Sequence, residues 1–136
     1  MRKVTVISLA LFLFLTKVAV AQDAEDKARY AAEQWIVLVD DGQYEQSWKE
    51  SAKSFQVWIT SEEWQKRAAE DRGRLGRKTF RKLKEIKSST SAKGQPAGQI
   101  LVKYQSSFEK KKNIVEMVTT VLEDDGVWRV SSYVFE

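Results

Sequence analysis

Residues 114–135 read IVEMVTTVLEDDGVWRVSSYVF, and this stretch decides the fold. Asp124-Asp125-Gly126 stands between two runs rich in Val, Thr and aromatic residues, which is a strong hairpin signal because glycine supplies the positive φ that tight turns need. Ile114 to Leu122 is apolar on both faces, interrupted by Glu116, Thr119 and Thr120, and reads as a central strand. Val127 to Phe135 reads as the last strand, with Trp128, Val130 and Val134 on one face and Arg129, Tyr133 and Phe135 on the other. A two-residue and a three-residue loop both fit the turn. The choice matters, because a one-residue slip in pairing exchanges the faces.

Upstream of a charged turn, Glu109 to Asn113, the pattern stays extended. Ile100, Val102, Tyr104 and Phe108 alternate with Lys103, Gln105 and Ser107, which predicts a half-buried strand preceded by a loop at Gly94–Gly98. Lys78 to Ser88 mixes Phe80, Leu83 and Ile86 with Arg81, Lys82 and Lys84. Its imperfect alternation suits a bulged, lysine-protected edge strand.

Before Gly76 the period is helical. Ala28, Ala31, Ala32, Trp35, Leu38 and Val39 recur every three or four residues from Asp23 to Val39, and Gly42 stops that helix. Tyr44, Trp48, Ala52 and Phe55 predict a second helix. Thr60-Ser61-Glu62-Glu63 is a capping box, flanked by Ile59 and Trp64 at hydrophobic-staple spacing, so a third helix starts at Ser61 and ends near Gly73 or Gly76. The expectation is an α+β domain: three N-terminal helices packed on a curved four-stranded antiparallel sheet.

The first residues have a different character. Met1-Arg2-Lys3 is positive, Val4 to Leu15 is almost wholly apolar, and Ala19-Val20-Ala21 offers small residues for cleavage. This predicts a signal peptide over 1–21, an exported (periplasmic or secreted) domain over 22–136, and no stable membrane insertion once the leader is removed. The apolar run is shorter than the ~20 residues of a membrane span.

Removing Arg2, Lys3 and Lys17 leaves 20 basic against 19 acidic side chains, so the formal charge of +4 mostly describes the leader. Residues 22–65 carry four basic and ten acidic side chains, whereas 66–87 carry ten and three. The basic block is read as a solvated face that balances the acidic helices, with an anionic partner as the sharper alternative. Export leaves no role for nucleic acid.

With no Cys and no His, the chain lacks thiolate nucleophiles, imidazole bases and the common zinc and haem ligands. No metal or cofactor is expected. Asp40-Asp41 and Asp124-Asp125 read as turn residues.

Ala32-Glu33-Gln34-Trp35, Asp40, Gly42, Tyr44, Ser47-Trp48, Leu75-Gly76, Tyr104 to Phe108, and Asp125-Gly126 with Trp128-Arg129-Val130 and Tyr133 together resemble a bacterial family catalogued as domain of unknown function 4019. That resemblance implies an exported bacterial protein and carries no catalytic residues. The order of elements is also similar to the nuclear-transport-factor-2-like superfamily, which includes ketosteroid isomerase-like proteins and implies a cone-like sheet with a pocket. Such folds host enzymes, binders and structural modules alike.

Three functions follow as expectations. The first is non-enzymatic binding of a small molecule or an envelope protein, with Tyr30, Tyr104, Arg129 and Tyr133 facing the ligand because each joins an apolar body to a polar tip. Trp35, Trp48, Trp64 and Trp128 are read as core before pocket lining. The second is an isomerase- or dehydratase-like enzyme whose catalytic candidate is Glu116, a carboxylate in an apolar strand, against its reading as a salt-bridge partner of Arg129 or Arg81. The third is an envelope assembly module, and the uncovered sheet face leaves homodimerisation open.

Overall fold

Among the described residues, four helices precede four strands: α1 (Ile7–Asp40), α2 (Tyr44–Lys49), α3 (Lys53–Trp58), α4 (Ser61–Leu75), β1 (Lys78–Thr90), β2 (Pro96–Phe108), β3 (Ile114–Leu122) and β4 (Trp128–Phe135). The computed structural model describes residues 7–90 and 96–136, with side chains over 19–89 and 98–136; of the predicted Gly94–Gly98 loop, Gly94 and Gln95 lie outside the described residues, while Pro96 to Gly98 already belong to β2. The strands form one open antiparallel sheet in the order β1-β2-β3-β4, placing β3 centrally and β1 at an edge as its lysines predict. The fold is α+β, with helices on one face of the sheet.

Local chemistry explains most boundaries. Gly42 ends the first helical segment at φ 76° and Gly76 caps α4 at φ 76°, conformations that an L side chain rarely adopts. At the start of α4, Thr60 accepts from the Glu63 amide while the Glu63 carboxylate accepts from Thr60 N, closing the capping box.

The predicted second helix is divided into α2 and α3 by tertiary bonding. Ala52 N donates to Val130 O of β4 at 2.8 Å and Lys53 N to Glu123 Oε1 at 2.8 Å, so these amides bond the sheet instead of the preceding turn. The kink also brings Ser47 O and Ser51 Oγ to the Trp35 indole nitrogen, at 2.8 and 2.9 Å. Periodicity alone carries no trace of that partner.

The β3–β4 connection resolves the loop question. Glu123 N donates to Val127 O and Gly126 N to Glu123 O, leaving Asp124, Asp125 and Gly126 as a three-residue loop with Gly126 at φ 77°. Further along, Thr120 pairs with Val130 but Thr119 with Ser132, so Ser131 is an extra residue. This bulge corrects the predicted faces of β4. Trp128 and Val130 face the helices, then Tyr133 and Phe135 take over, while Val134 turns outward and Arg129 lies opposite Tyr133.

The main core joins Ala28, Ala32, Trp35, Ile36 and Val39 of α1 to Phe55, Trp64 and Ala68, and to Ile100, Val102, Tyr104, Val118 and Val130 of the sheet. Trp35 sits at its centre, with ring centroids 6.0 Å from Phe55, 5.6 Å from Trp64 and 5.5 Å from Tyr133.

Candidate functional site

Two different environments lie between the helices and the sheet. The first is a buried charge cluster. Glu116 is fully buried on β3, and both its oxygens are occupied. Oε1 accepts from Tyr133 OH at 2.6 Å and Arg81 Nη2 at 3.0 Å, while Oε2 accepts from Arg81 Nε at 2.7 Å and from Ser106 Oγ. Arg81 continues to Asp40 at the end of α1, with Nη1 to Oδ2 at 2.6 Å and Nη2 to Oδ1 at 3.0 Å. Arg72 of α4 completes the group, donating to Asp40 Oδ1 at 2.7 Å and to Tyr133 OH at 3.1 Å, with its guanidinium 4.9 Å from the Phe108 ring centroid.

Two arginines thus neutralise two carboxylates, and six elements (α1, α4, β1, β2, β3 and β4) meet at the cluster. Burial works against ionising Asp40, but the Arg81 and Arg72 guanidiniums outweigh it and hold the carboxyl below its ordinary range. Burial, and then the Glu116 charge, push the Tyr133 hydroxyl well above its usual value, so it stays a neutral donor. Of the two partners predicted for Glu116, Arg81 is the one it has.

The second environment is an open groove of about 770 Å³ between the solvent-facing side of α1 and the β3–β4 hairpin. Tyr30, Ala31, Gln34 and Trp35 form one wall; Gly126, Val127, Trp128 and Arg129 form the other. Arg129 is clamped by Asp125, at 2.9 and 2.8 Å, and by Glu123 at 2.7 Å. The Arg129 hydrogen bonds, then the Val127 amide, lower the Asp125 carboxyl to about 2.

The four residues predicted to face a ligand therefore do not converge. Tyr30 and Arg129 line the groove. Tyr133 belongs to the charge cluster, and Tyr104 is buried in the core, where burial and then the nearby Glu33 charge push its hydroxyl up. Sequence reading missed Arg72 and Asp40 in the cluster. A signal for Arg72 did exist, since it falls on the buried Trp64–Ala68–Leu75 face of α4. Asp40 carried none, because it reads equally well as a turn residue. Trp48 and Trp64 are structural, their indoles donating to Ile59 O and Ser47 Oγ.

The model of a family described as a protein of unknown function, DUF4019, matches residues 31–133, from the groove wall on α1 to Tyr133 in the charge cluster. The chain belongs to this family. No curated protein matches the chain. Both environments lie within the family's span: the cluster residues Asp40, Arg72, Arg81, Ser106, Glu116 and Tyr133 all do, as do most groove residues.

Proposed function

We propose that this domain is a non-enzymatic binding module which takes a small molecule with an apolar or aromatic body in the groove between α1 and the β3–β4 hairpin. The observation that carries the reading is the groove itself: about 770 Å³, within the ~300–1,000 Å³ of small-ligand sites, with Tyr30, Trp35 and Trp128 in its lining. Gln34 and the exposed tip of Tyr30 supply hydrogen bonds to orient a ligand.

The isomerase-like alternative asks Glu116 to take a proton from a substrate carbon. Each Glu116 oxygen already accepts two hydrogen bonds, and its side chain has no exposed surface. A base so placed must first break an ion pair with Arg81. The chemistry favours a structural carboxylate.

Export belongs to the same proposal. Cleavage after Ala21 would leave α1 its packed portion, since residues 19–23 are exposed and burial begins with Ala24 and Ala28. N-terminal sequencing of the secreted or periplasmic chain should begin at Gln22.

Tryptophan emission titrated with an apolar naphthalene dye tests the groove, because Trp35 and Trp128 line it. Saturable quenching is expected, and Trp128→Ala should weaken it by about tenfold, the ~1.4 kcal/mol that one aromatic contact supplies. A dye that binds wild type and Trp128→Ala equally would move the site elsewhere. No saturable response would remove the small-molecule reading.

A further inference from the structure

The basic block of the sequence does not end at β1. The β2–β3 turn folds onto the C-terminus of α4: Glu109 N donates to Arg77 O, Lys110 N to Leu75 O, and Lys110 Nζ to Gly73 O. Two distant segments thereby form one end of the domain. Residues 73–78 contribute Arg74, Arg77 and Lys78, and residues 109–113 contribute Lys110, Lys111 and Lys112, against a single acidic side chain, Glu109. All six cations are exposed. Glu136 flanks the cluster from the end of β4, bonded through its backbone to Val115.

Two of the six are engaged within the fold and four are not: Arg77 pairs with Glu109 at 2.6 Å and Lys110 caps the helix carbonyl, but Arg74, Lys78, Lys111 and Lys112 make no ion pair among the described residues. Like charges gathered without neutralisation raise the potential of that end. The opposite end of the sheet, the β3–β4 hairpin, carries Glu123, Asp124 and Asp125. The two ends are separated by the nine residues of β3, about 30 Å. That distance is roughly three Debye lengths at 0.1 M salt, so the acidic end does not cancel the attraction at the basic one.

We propose that this basic end is a docking face for an anionic phospholipid surface. An open hollow of about 390 Å³ does lie at this end, but of the four unpaired cations only Lys78 lines it, beside Asp40 and Glu109, while Arg74, Lys111 and Lys112 lie outside it, so the four do not converge on a single phosphate. A plane of many headgroups matches their spread. Docking end-on would also point the acidic hairpin, with its groove, away from the membrane and leave the groove open to ligand. Adsorption of this kind is electrostatic and peripheral, and needs no inserted helix.

Sedimentation with vesicles of equal parts phosphatidylglycerol and phosphatidylcholine, compared with phosphatidylcholine alone, tests the proposal on the full chain. The leader binds both vesicles through its apolar run and favours the anionic ones through Arg2, Lys3 and Lys17, but this contribution is the same in every variant, so the difference between variants reads the docking face alone. The docking face should add binding to the anionic vesicles only, and lose it as salt rises from about 0.05 M to about 0.5 M. The triple variant Arg74→Glu, Lys111→Glu, Lys112→Glu should reduce that increment at least tenfold, since each basic residue near an acidic membrane is worth roughly fivefold. A charge-matched control reversing Lys53, Lys84 and Lys87, with thermal melts to verify folding of both variants, should retain most of it. An equal loss in both variants would reduce the effect to net charge and overturn the proposal. So would the absence of a salt-sensitive anionic increment, or binding confined to a soluble polyanion such as heparin.

Discussion

The charge cluster and the groove lie under the same sheet and are built from opposite materials. At the cluster, Asp40, Arg72, Arg81, Ser106, Glu116 and Tyr133 bond one another and leave Glu116 with no solvent contact. At the groove, Tyr30 is about two-thirds exposed and Trp128 is half-buried, with space beside both. The difference separates two meanings of an interesting residue. Perturbed ionisable groups mark function only when something can reach them, and at the cluster each oxygen of the buried Glu116 already accepts two hydrogen bonds from the protein itself. The groove has weaker chemistry but better access.

The largest effect expected from this contrast is on stability. Arg81→Ala should cost about 3–5 kcal/mol in urea denaturation, because Asp40 and Glu116 would remain buried without their shared cation. Glu116→Gln keeps the shape and removes one charge, and should cost less, about 1–3 kcal/mol. Neither should change dye affinity in the groove among molecules that stay folded. A folded Glu116→Gln protein that had lost groove binding would join the two regions and break the comparison.

The same cluster gives a pH signature. Asp40 has a folded pKa below its unfolded value of 3.8, so its contribution to stability is fully present above 3.8 and is lost as pH falls from there through the folded pKa. Melting temperature should therefore decline on acidification in that window. Asp40→Asn should flatten the decline as well as lower the melting temperature at neutral pH. An unchanged slope in the variant would assign the acid response to other carboxylates.

How much of this was legible in the sequence depends on the range of the forces involved. The Asp-Gly hairpin, the Thr60–Glu63 capping box, the terminal Gly76 and the lysine-rich edge strand are decided within a few residues, and all of them stand in the structure. What could not be read was decided across the fold. The break between α2 and α3 exists because Ala52 N bonds Val130 O, some eighty residues away, and the Ser131 bulge, which reverses the faces of β4, follows from pairing with Thr119 and Thr120. For the candidate sites, Glu116 was visible as a lone charge in an apolar strand, and Arg81 as one of two partners. Asp40 was hidden because it belongs to a helix end, where charge is ordinary, whereas Arg72 was marked only by its place on the buried face of α4. Tyr30 and Arg129 were separable from Tyr104 and Tyr133 only by burial, which residue type does not encode.

A smaller effect sharpens the contrast from the groove side. Trp128→Ala should lower stability by much less than Arg81→Ala, since Trp128 is only partly buried at the edge of the core, while weakening the dye by about tenfold. Chemical denaturation and fluorescence titration on one preparation give both numbers. A loss of stability as large as that of Arg81→Ala would make Trp128 a core residue, not a ligand contact.

The smallest expected effect tests the hairpin that forms the groove's second wall. Gly126 holds φ 77°, yet a methyl group built there meets no heavy atom within 4 Å. Gly126→Ala therefore isolates backbone strain from crowding, and should cost about 1 kcal/mol of stability, the lower range for forcing an alanine into left-handed geometry. Groove affinity should stay within about twofold, because the three-residue loop is pinned from outside by the Glu123–Val127 and Arg129–Asp125 bonds and has no need to change register. A larger loss of affinity with the same small loss of stability would mean that the methyl group protrudes where the ligand lies, and would place the bound molecule against the hairpin turn itself.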